Sequence, residues 1–282
     1  MPEHKIDEVG RWTEMKLRII EEYSRSYTTI LGNQRWLRFA YIDGFAGPGE
    51  HKSKATGELI PGSPAIALKT EPQFDFFHFV DMDGRRADRL NELAEGRSNV
   101  FVYQGDCNEV LIKDVFPQCQ YKDYRRALCL LDPYDLNPKW SVVQTAGEMG
   151  TIEIFLNFMI MDANMNVLWN NPEKVIESQK QRMNAFWGDD SWRAACYIPR
   201  EGVLFPDLDL EDKVSNEAVV EAYRYRLHDV AGFKFVPKPI PMKNSIGRTI
   251  YYLFFASNNE IGAKIASSIL SKYEKAGEAN VQ

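Results

Sequence analysis

The sequence predicts an α/β protein: a doubly wound, mostly parallel sheet with an antiparallel C-terminal strand and a helical insertion. Three observations predict it. Short apolar segments alternate with helical patterns from Arg38 to Phe158, the order that gives parallel strands joined by crossover helices. The run Phe74 to Val80 is almost wholly apolar, as a strand covered on both faces must be. Several of these segments stop at an acid beside a glycine or proline, and right-handed crossovers would bring those ends to one edge.

Taken in order, Val9, Trp12, Met15, Ile19 and Tyr23 recur at helical spacing, which predicts an amphipathic first helix. A second helical stretch is expected from Thr28 to Arg35, ending near Gly32 or Asn33. Arg38 to Ile42 reads as the first strand and runs into Asp43-Gly44-Phe45-Ala46-Gly47-Pro48-Gly49, followed by a long polar loop from Glu50 to Gly62. Ser63-Pro64 opens a helix, with serine suited to a cap and proline to the first turn. The strand Phe74 to Val80 ends in Asp81-Met82-Asp83, and a helix follows over Gly84 to Leu93. Val100 to Tyr103 closes on Gly105-Asp106-Cys107-Asn108 before a helix over Glu109 to Phe116. Ala127 to Leu131 stops at Asp132-Pro133-Tyr134-Asp135, and Ile152 to Phe158 is a further strand.

The pattern then changes. Pro172 to Trp187, Asp189 to Cys196 and Asp212 to His228 read as helices broken at Pro199 and Pro206. Trp169, Phe186, Trp187 and Trp192 are expected to form this insertion's own small core. Strands return at Phe233 to Val236 and Thr249 to Ala256, an antiparallel pair joined by a proline-rich connection, and a helix over Glu260 to Tyr273 packs back. The expected organisation is one domain over 1–282, with N-terminal helices over 6–35 and the insertion over about 164–230.

Composition narrows the function. The chain has 282 residues, 44% hydrophobic and 26% charged, a globular mixture. Cys107, Cys119, Cys129 and Cys196 fall at irregular spacings without a CxxC, so neither a disulfide framework nor a zinc knuckle is written, and a reducing cytosol is expected. The opening Met1 to Lys5 lacks a secretory signal. The most apolar stretch, Thr151 to Met161, is shorter than the roughly 20 residues a membrane helix needs and carries Glu153 and Asn157. A net charge of −6 argues against a surface that coats nucleic acid; Arg85-Arg86 and Arg125-Arg126 are the only basic doublets, and each reads as a solvated helix or loop face. His4, His51, His78 and His228 are far apart, with no metal-ligand spacing.

The strand ends carry the chemistry. In an open parallel sheet, ligands bind beyond the carboxyl ends of the strands, and here those ends bear Asp43, Asp81 with Asp83, Asp106 and Asp132. One such acid is an ordinary helix cap, and one glycine-rich turn is an ordinary tight turn. Their repetition in step with the sheet points to a nucleoside-bearing cofactor. Gly44, Gly47 and Gly49 let backbone approach a ligand. Asp81 can accept both ribose hydroxyl protons, leaving Asp83 to cap the next helix. Asp106 is placed to accept from an adenine amine, and Asp132 faces the acceptor. Phosphate fits poorly, because Gly49 is followed by Glu50 rather than lysine and a pyrophosphate would sit among carboxylates. A cationic sulfonium would not be repelled.

Asp43 to Gly49 resembles the D-x-F-x-G-x-G opening of class I S-adenosylmethionine-dependent methyltransferases that methylate amines of nucleic acids, and Asp132-Pro133-Tyr134 resembles their D-P-P-Y signature. The closer resemblance is to the three-Cys-motif partner proteins. It rests on Trp12 and Lys16, the Tyr41 to Gly49 block, Gly62 to Leu68, Leu131 to Tyr134 and the Tyr251 to Ser257 strand. The layout is also similar to bacterial ribosomal-RNA adenine methyltransferases. The resemblance implies a Rossmann-like methyltransferase fold, S-adenosyl-L-methionine as cofactor and a partner with a three-cysteine motif, itself similar to radical enzymes. It implies cofactor contacts from Asp43, Gly44, Phe45, Ala46, Gly47 and Gly49, from Ser63, from Asp81 with Met82, and from Asp106 with Cys107. Lys16 is placed to reach the cofactor's carboxylate where the first helix lids the sheet edge.

The acceptor side would be Asp132, Pro133, Tyr134 and Asp135. This chain departs from D-P-P-Y by lacking one proline and adding a carboxylate, so Tyr134 would stack on a base one position displaced and Asp135 would meet a different acceptor. Two functions follow. One is methylation of an exocyclic nucleobase amine, with RNA adenine favoured and RNA preferred over DNA or a free nucleotide. The other is a non-catalytic or differently reactive chain that keeps the fold and partners a three-cysteine-motif, radical-enzyme-like protein.

Overall fold

The computed structural model describes residues 8–54, 56–200 and 211–279; Met1 to Lys5, with His4, and Pro206 lie outside them. Seven strands form the central sheet: β1 (Arg38–Asp43), β2 (Phe76–Asp81), β3 (Val100–Gln104), β4 (Arg125–Leu131), β5 (Ile152–Phe158), β6 (Ile240–Lys243) and β7 (Thr249–Ala256). Their order is β6-β7-β5-β4-β1-β2-β3. The strands β1 to β5 are mutually parallel, β7 runs antiparallel to β5, and β6 antiparallel to β7. Strand order reverses between β1 and β4, the switch point at which an open α/β sheet offers its crevice. This is the doubly wound, Rossmann-like methyltransferase arrangement expected from the sequence.

The strands are apolar because helices cover both faces. Along β4, Leu128 and Leu130 enter one core, while Ala127, Cys129 and Leu131 enter the other. The first core packs against α1 (Arg11–Gly32), α2 (Ser63–Lys69), α3 (Gly84–Leu93) and the C-terminal helix Glu260–Ala279. The second lies under α4 (Cys107–Val110), α5 (Trp140–Met149), α6 (Ile160–Asn166), α7 (Glu177–Trp187), α8 (Trp192–Cys196) and α9 (Asn216–Asp229), and the C-terminal helix is α10.

Several local expectations are corrected. The two N-terminal helices are one, α1, of 22 residues. The hydroxyls of Ser26, Thr28 and Thr29 donate to carbonyls three or four residues back, so these residues do not break it. The polar loop Glu50 to Gly62 contains a hairpin, Glu50–Ser53 paired with Leu59–Pro61. Helix α5 occupies a stretch to which the sequence assigned no element. The helix expected over Glu109 to Phe116 starts earlier, as α4, widens over Leu111–Val115 and tightens over Phe116–Gln118, where Pro117 supplies no backbone donor.

The late antiparallel pair is Ile240–Lys243 with Thr249–Ala256, not Phe233 to Val236; Phe235 contributes a single bridge to Ser257. An edge strand tolerates Pro241 because its missing N–H need not serve a second neighbour. The insertion also contains a hairpin, Tyr197–Pro199 with Glu211–Lys213. Its Phe186, Trp187 and Trp192 do not form a separate core. Phe186 and Trp187 pack on Tyr223, which with Phe158 and Phe254 belongs to the core over the sheet, and Trp169 is 38% exposed.

At one point backbone meets backbone. A Cβ on Gly147 of α5 would stand 1.9 Å from the Ala231 carbonyl oxygen. Gly147→Ala should therefore destabilise the protein by about 3 kcal/mol through overpacking, read as a lowered urea midpoint with an unchanged slope.

Candidate active site

The segment after β1 is drawn across both neighbouring strands. The Gly44 N–H donates to Leu130 O on β4 (2.9 Å), and the Ala46 N–H donates to Val80 O on β2 (3.0 Å). Gly47 then donates its N–H to Asp81 Oδ2 at 2.9 Å. Gly47 and Gly49 have φ of +63° and +83°, a region that side chains rarely enter. A Cβ on Gly47 would meet nothing within 4 Å, so this backbone faces open space. Gly62 donates its N–H to Gly49 O at 2.7 Å, which pins the two ends of the hairpin together. Helix α2 therefore starts beside the last loop glycine in space, although Glu50 to Gly62 separates them in sequence. Phe45 is half-buried and Ala46 buried beneath the loop.

Asp43 sits under this loop, fully buried. Its Oδ1 accepts from the Phe45 N–H at 3.2 Å, and Oδ2 has no hydrogen-bond partner. Burial pushes its carboxyl up to about 7, opposed by the Ser63 hydroxyl and, more weakly, by Lys16; Asp132 adds to the rise. The sign of the consequence is fixed. A carboxyl raised in the folded state contributes stability below about pH 4, where it is protonated folded or unfolded, and loses it as pH rises through about 7. Asp43→Asn should remove that part of the slope. Its urea midpoint should exceed that of the wild type near pH 8, with the gap closing towards pH 5; parallel curves would sink the assignment.

At the end of β2, Asp81 is 8% exposed. Its Oδ1 accepts from the Asp83 N–H at 2.9 Å, and Arg86 stands 3.9 Å from Oδ2. Asp83 caps α3, accepting from the N–H groups of Arg85 and Arg86. Met82 is 63% exposed beside them. After β3, Asp106 caps α4 through Asn108, whose backbone and side-chain nitrogens both donate to Oδ1 at 2.9 Å. The Asn108 side chain also spans to the segment after β4, accepting from Lys139 N–H and donating to Asn137 O. Cys107 is buried, and burial pushes its thiol up to about 12.

Asp132, after β4, is held from two sides. Lys16 of α1 forms an ion pair with its Oδ2, and the Asn157 amide at the end of β5 donates to Oδ1. Lys16 is 5% exposed, so a lysine from the far end of the sequence delivers its ammonium to the middle of the sheet edge. This places Lys16 on the candidate acceptor acid. Pro133 is buried. Tyr134 is exposed, and the Arg86 guanidinium of α3 lies 5.7 Å from its ring centroid, so Tyr134 leans back toward the Asp81 side. Asp135 faces the insertion. Arg182 of α7 stands 3.6 Å from Asp135 and 2.9 Å from Asp162 of α6, and burial raises the Asp135 carboxyl against the pull of Arg182.

The loop after β1 thus binds Asp81 directly, while Lys16 and Asn157 gather on Asp132 and Arg86 spans from Asp81 to Tyr134. Asp106 and Cys107 occupy the turn into α4. Sequence spacing does not mark Arg86 or Arg182 as site residues: Arg86 stands in a basic doublet that reads as a solvated face, and Arg182 is one of several basic residues of the insertion diluted by neighbouring acids. Asn157, near the end of β5, lies where the sequence already allowed an acceptor.

No family model matches this chain, and no curated protein matches it. Among solved structures, it is similar to protein LPL1258 of Legionella pneumophila, of the DUF519 family, at 12% identity over 93% of both chains with a TM-score of 0.47. It is similar to a protein of Listeria monocytogenes described as a candidate S-adenosylmethionine-dependent methyltransferase, at 12% identity over 80% of this chain and 93% of that one, TM-score 0.43. A candidate methyltransferase of Thermobifida fusca is similar at 10% identity over 85% of this chain and 80% of that one, TM-score 0.39. The strand order and the single antiparallel strand between β5 and β6 make the fold Rossmann-like, of the class I methyltransferase type.

Proposed function

We propose that the chain is an S-adenosylmethionine-dependent methyltransferase acting on an exocyclic amine of a nucleobase, with adenine in RNA as the favoured acceptor. The observation that carries this reading is the joining of two acid stations along one sheet edge: Asp81 tied to the glycine loop, and Asp132 held by Lys16 and Asn157. The residues present suit such a cofactor. Gly47 opens its backbone to empty space, Asp81 offers carboxylate lone pairs for hydroxyl groups, and the acids disfavour phosphate while accepting a cation. Asp81 would hold the ribose, Met82 would cover the base, and the turn at Asp106 and Cys107 would meet the base edge.

When bound, the cofactor supplies an electrophilic methyl carbon on a sulfonium. This chain's part is orientation, worth up to roughly 7–11 kcal/mol when the reacting groups are well placed. Asp132 accepts an N–H of the target amine and turns the nitrogen lone pair toward the methyl carbon. The Asp132 carboxylate would be the adjacent acceptor for the proton that the amine gives up on methylation. Lys16 and Asn157 fix the carboxylate plane, and Tyr134, exposed beside Arg86, provides an aromatic face for the base. Asp135, anchored by Arg182, links this edge to the insertion.

The test is transfer of label from methyl-labelled cofactor to fractionated cell RNA, DNA and small molecules. Label in RNA as N-methyladenine is expected and should be lost in Asp132→Asn. A second reading is favoured by the engagement of both Asp132 oxygens: a non-catalytic partner of a three-cysteine-motif protein. Calorimetric binding of S-adenosylhomocysteine without transfer to any fraction, alone or with such a partner, would support it.

A further inference from the structure

We propose that a cleft at the opposite, amino edge of the sheet is a second ligand site, taking a neutral nucleobase-like heterocycle that presents an N–H beside a carbonyl. The cleft lies between the second half of α1 and the start of α10, over the beginnings of β4 and β5. Its volume is about 450 Å³, within the usual range of small-molecule pockets. Ile30, Leu31, Ile261 and Ile265 form apolar walls.

The floor is polar and incompletely paired. Tyr27 is 6% exposed, yet its hydroxyl has no hydrogen-bond partner, a state that buried polar groups rarely keep unless something else satisfies them. Beside it stands Glu153, 8% exposed. The Ser257 hydroxyl donates to its Oε1 at 3.0 Å and the Tyr23 hydroxyl to its Oε2, which leaves each oxygen a further lone pair. Glycine at position 262 makes room for this cluster, because a Cβ there would lie 2.7 Å from both Glu153 Oε1 and the Tyr23 hydroxyl. At the mouth, the Arg126 guanidinium lies 4.6 Å from the ring centroid of Tyr121.

These groups select a ligand. Glu153 accepts an N–H; the Tyr27 hydroxyl and Arg126 donate to a carbonyl. Glu153, whose carboxyl burial raises to about 7, accepts when ionised, and an acceptor beside the donors Tyr27 and Arg126 matches a neutral lactam edge, as in guanine, hypoxanthine or uracil. The cleft opens at the far edge of the sheet from Asp81 and Asp132, so its occupant does not compete with a ligand there.

Calorimetry on the full chain with guanosine, inosine and uridine, against adenosine and cytidine, tests this. At least one lactam nucleoside should bind, and adenosine and cytidine should not. Tyr27→Phe should weaken that binding about tenfold or more while leaving the melting temperature of the free protein unchanged or raised, since it deletes an unpaired buried hydroxyl. Asp81→Ala should leave it intact. No heat from any lactam nucleoside at millimolar concentration, equal binding of adenosine, indifference to Tyr27→Phe, or loss in Asp81→Ala would each overturn the proposal.

Discussion

Asp81→Ala should weaken the binding of S-adenosylhomocysteine by about 100-fold or more, measured by titration calorimetry. Each hydrogen bond to a charged acceptor is worth about 1.5–3 kcal/mol, and a carboxylate holding two hydroxyls makes two. One hundredfold is about 2.7 kcal/mol, so the expectation lies near the lower end. The same substitution also releases Gly47, whose N–H now donates to Asp81 Oδ2, and so loosens the loop that approaches the ligand. Asp83→Ala provides the contrast. Asp83 lies two residues on and carries the same charge, but its side chain caps α3. Its loss should cost about 1 kcal/mol of stability and leave the affinity within about threefold. Equal losses from the two substitutions would mean that the acidic edge acts only as a diffuse field, and the ribose assignment would fall.

The strands that carry this site were legible because burial on both faces leaves little choice of residue. Ile152–Phe158 and the helix Gly84–Leu93 lie where the sequence placed them. The elements that escaped notice each had a local signal pointing elsewhere. Pro239 and Pro241 made the edge strand Ile240–Lys243 look like a connection. The polar residues of Glu50–Ser53 concealed a hairpin that pairs along its backbone and needs no apolar face. Helix α5 contains Val142, Val143, Thr145 and Gly147, poor helix formers that tertiary burial overrides.

The acids of the site were legible for the same topological reason: each closes a strand, and parallel strands share an edge. What gathers around them was not. Lys16 and Asp132 are 116 residues apart, Arg182 reaches Asp135 from an insertion with no sheet periodicity, and Tyr27 and Glu153 meet only where α1 crosses the starts of the strands. Sequence spacing reports the face of an element a residue occupies. It does not report which distant element covers that face.

Lys16→Met should destabilise the protein by about 3 kcal/mol and lower methyl transfer about 100-fold or more. Lys16 is 6% exposed in its side chain and Asp132 24%. Removing one partner of a buried pair leaves the other charge uncompensated, at about 3–5 kcal/mol, and the partial exposure of Asp132 favours the lower figure. Lys16 also stands near buried Asp43, whose carboxyl it helps to lower, so its loss leaves two acids facing each other. The double substitution Lys16→Met with Asp132→Leu should recover much of the stability, a coupling of at least about 1 kcal/mol in urea midpoints. Transfer should not recover, because the acceptor acid is gone. The pattern also decides what Lys16 does. If it holds Asp132, the single substitution leaves S-adenosylhomocysteine affinity nearly unchanged while transfer falls, and Lys16→Arg restores part of the rate. If Lys16 binds the cofactor's carboxylate instead, affinity falls with the rate and the two substitutions add without coupling; that outcome would remove the ion pair from the mechanism and return Asp132 to an unassisted role.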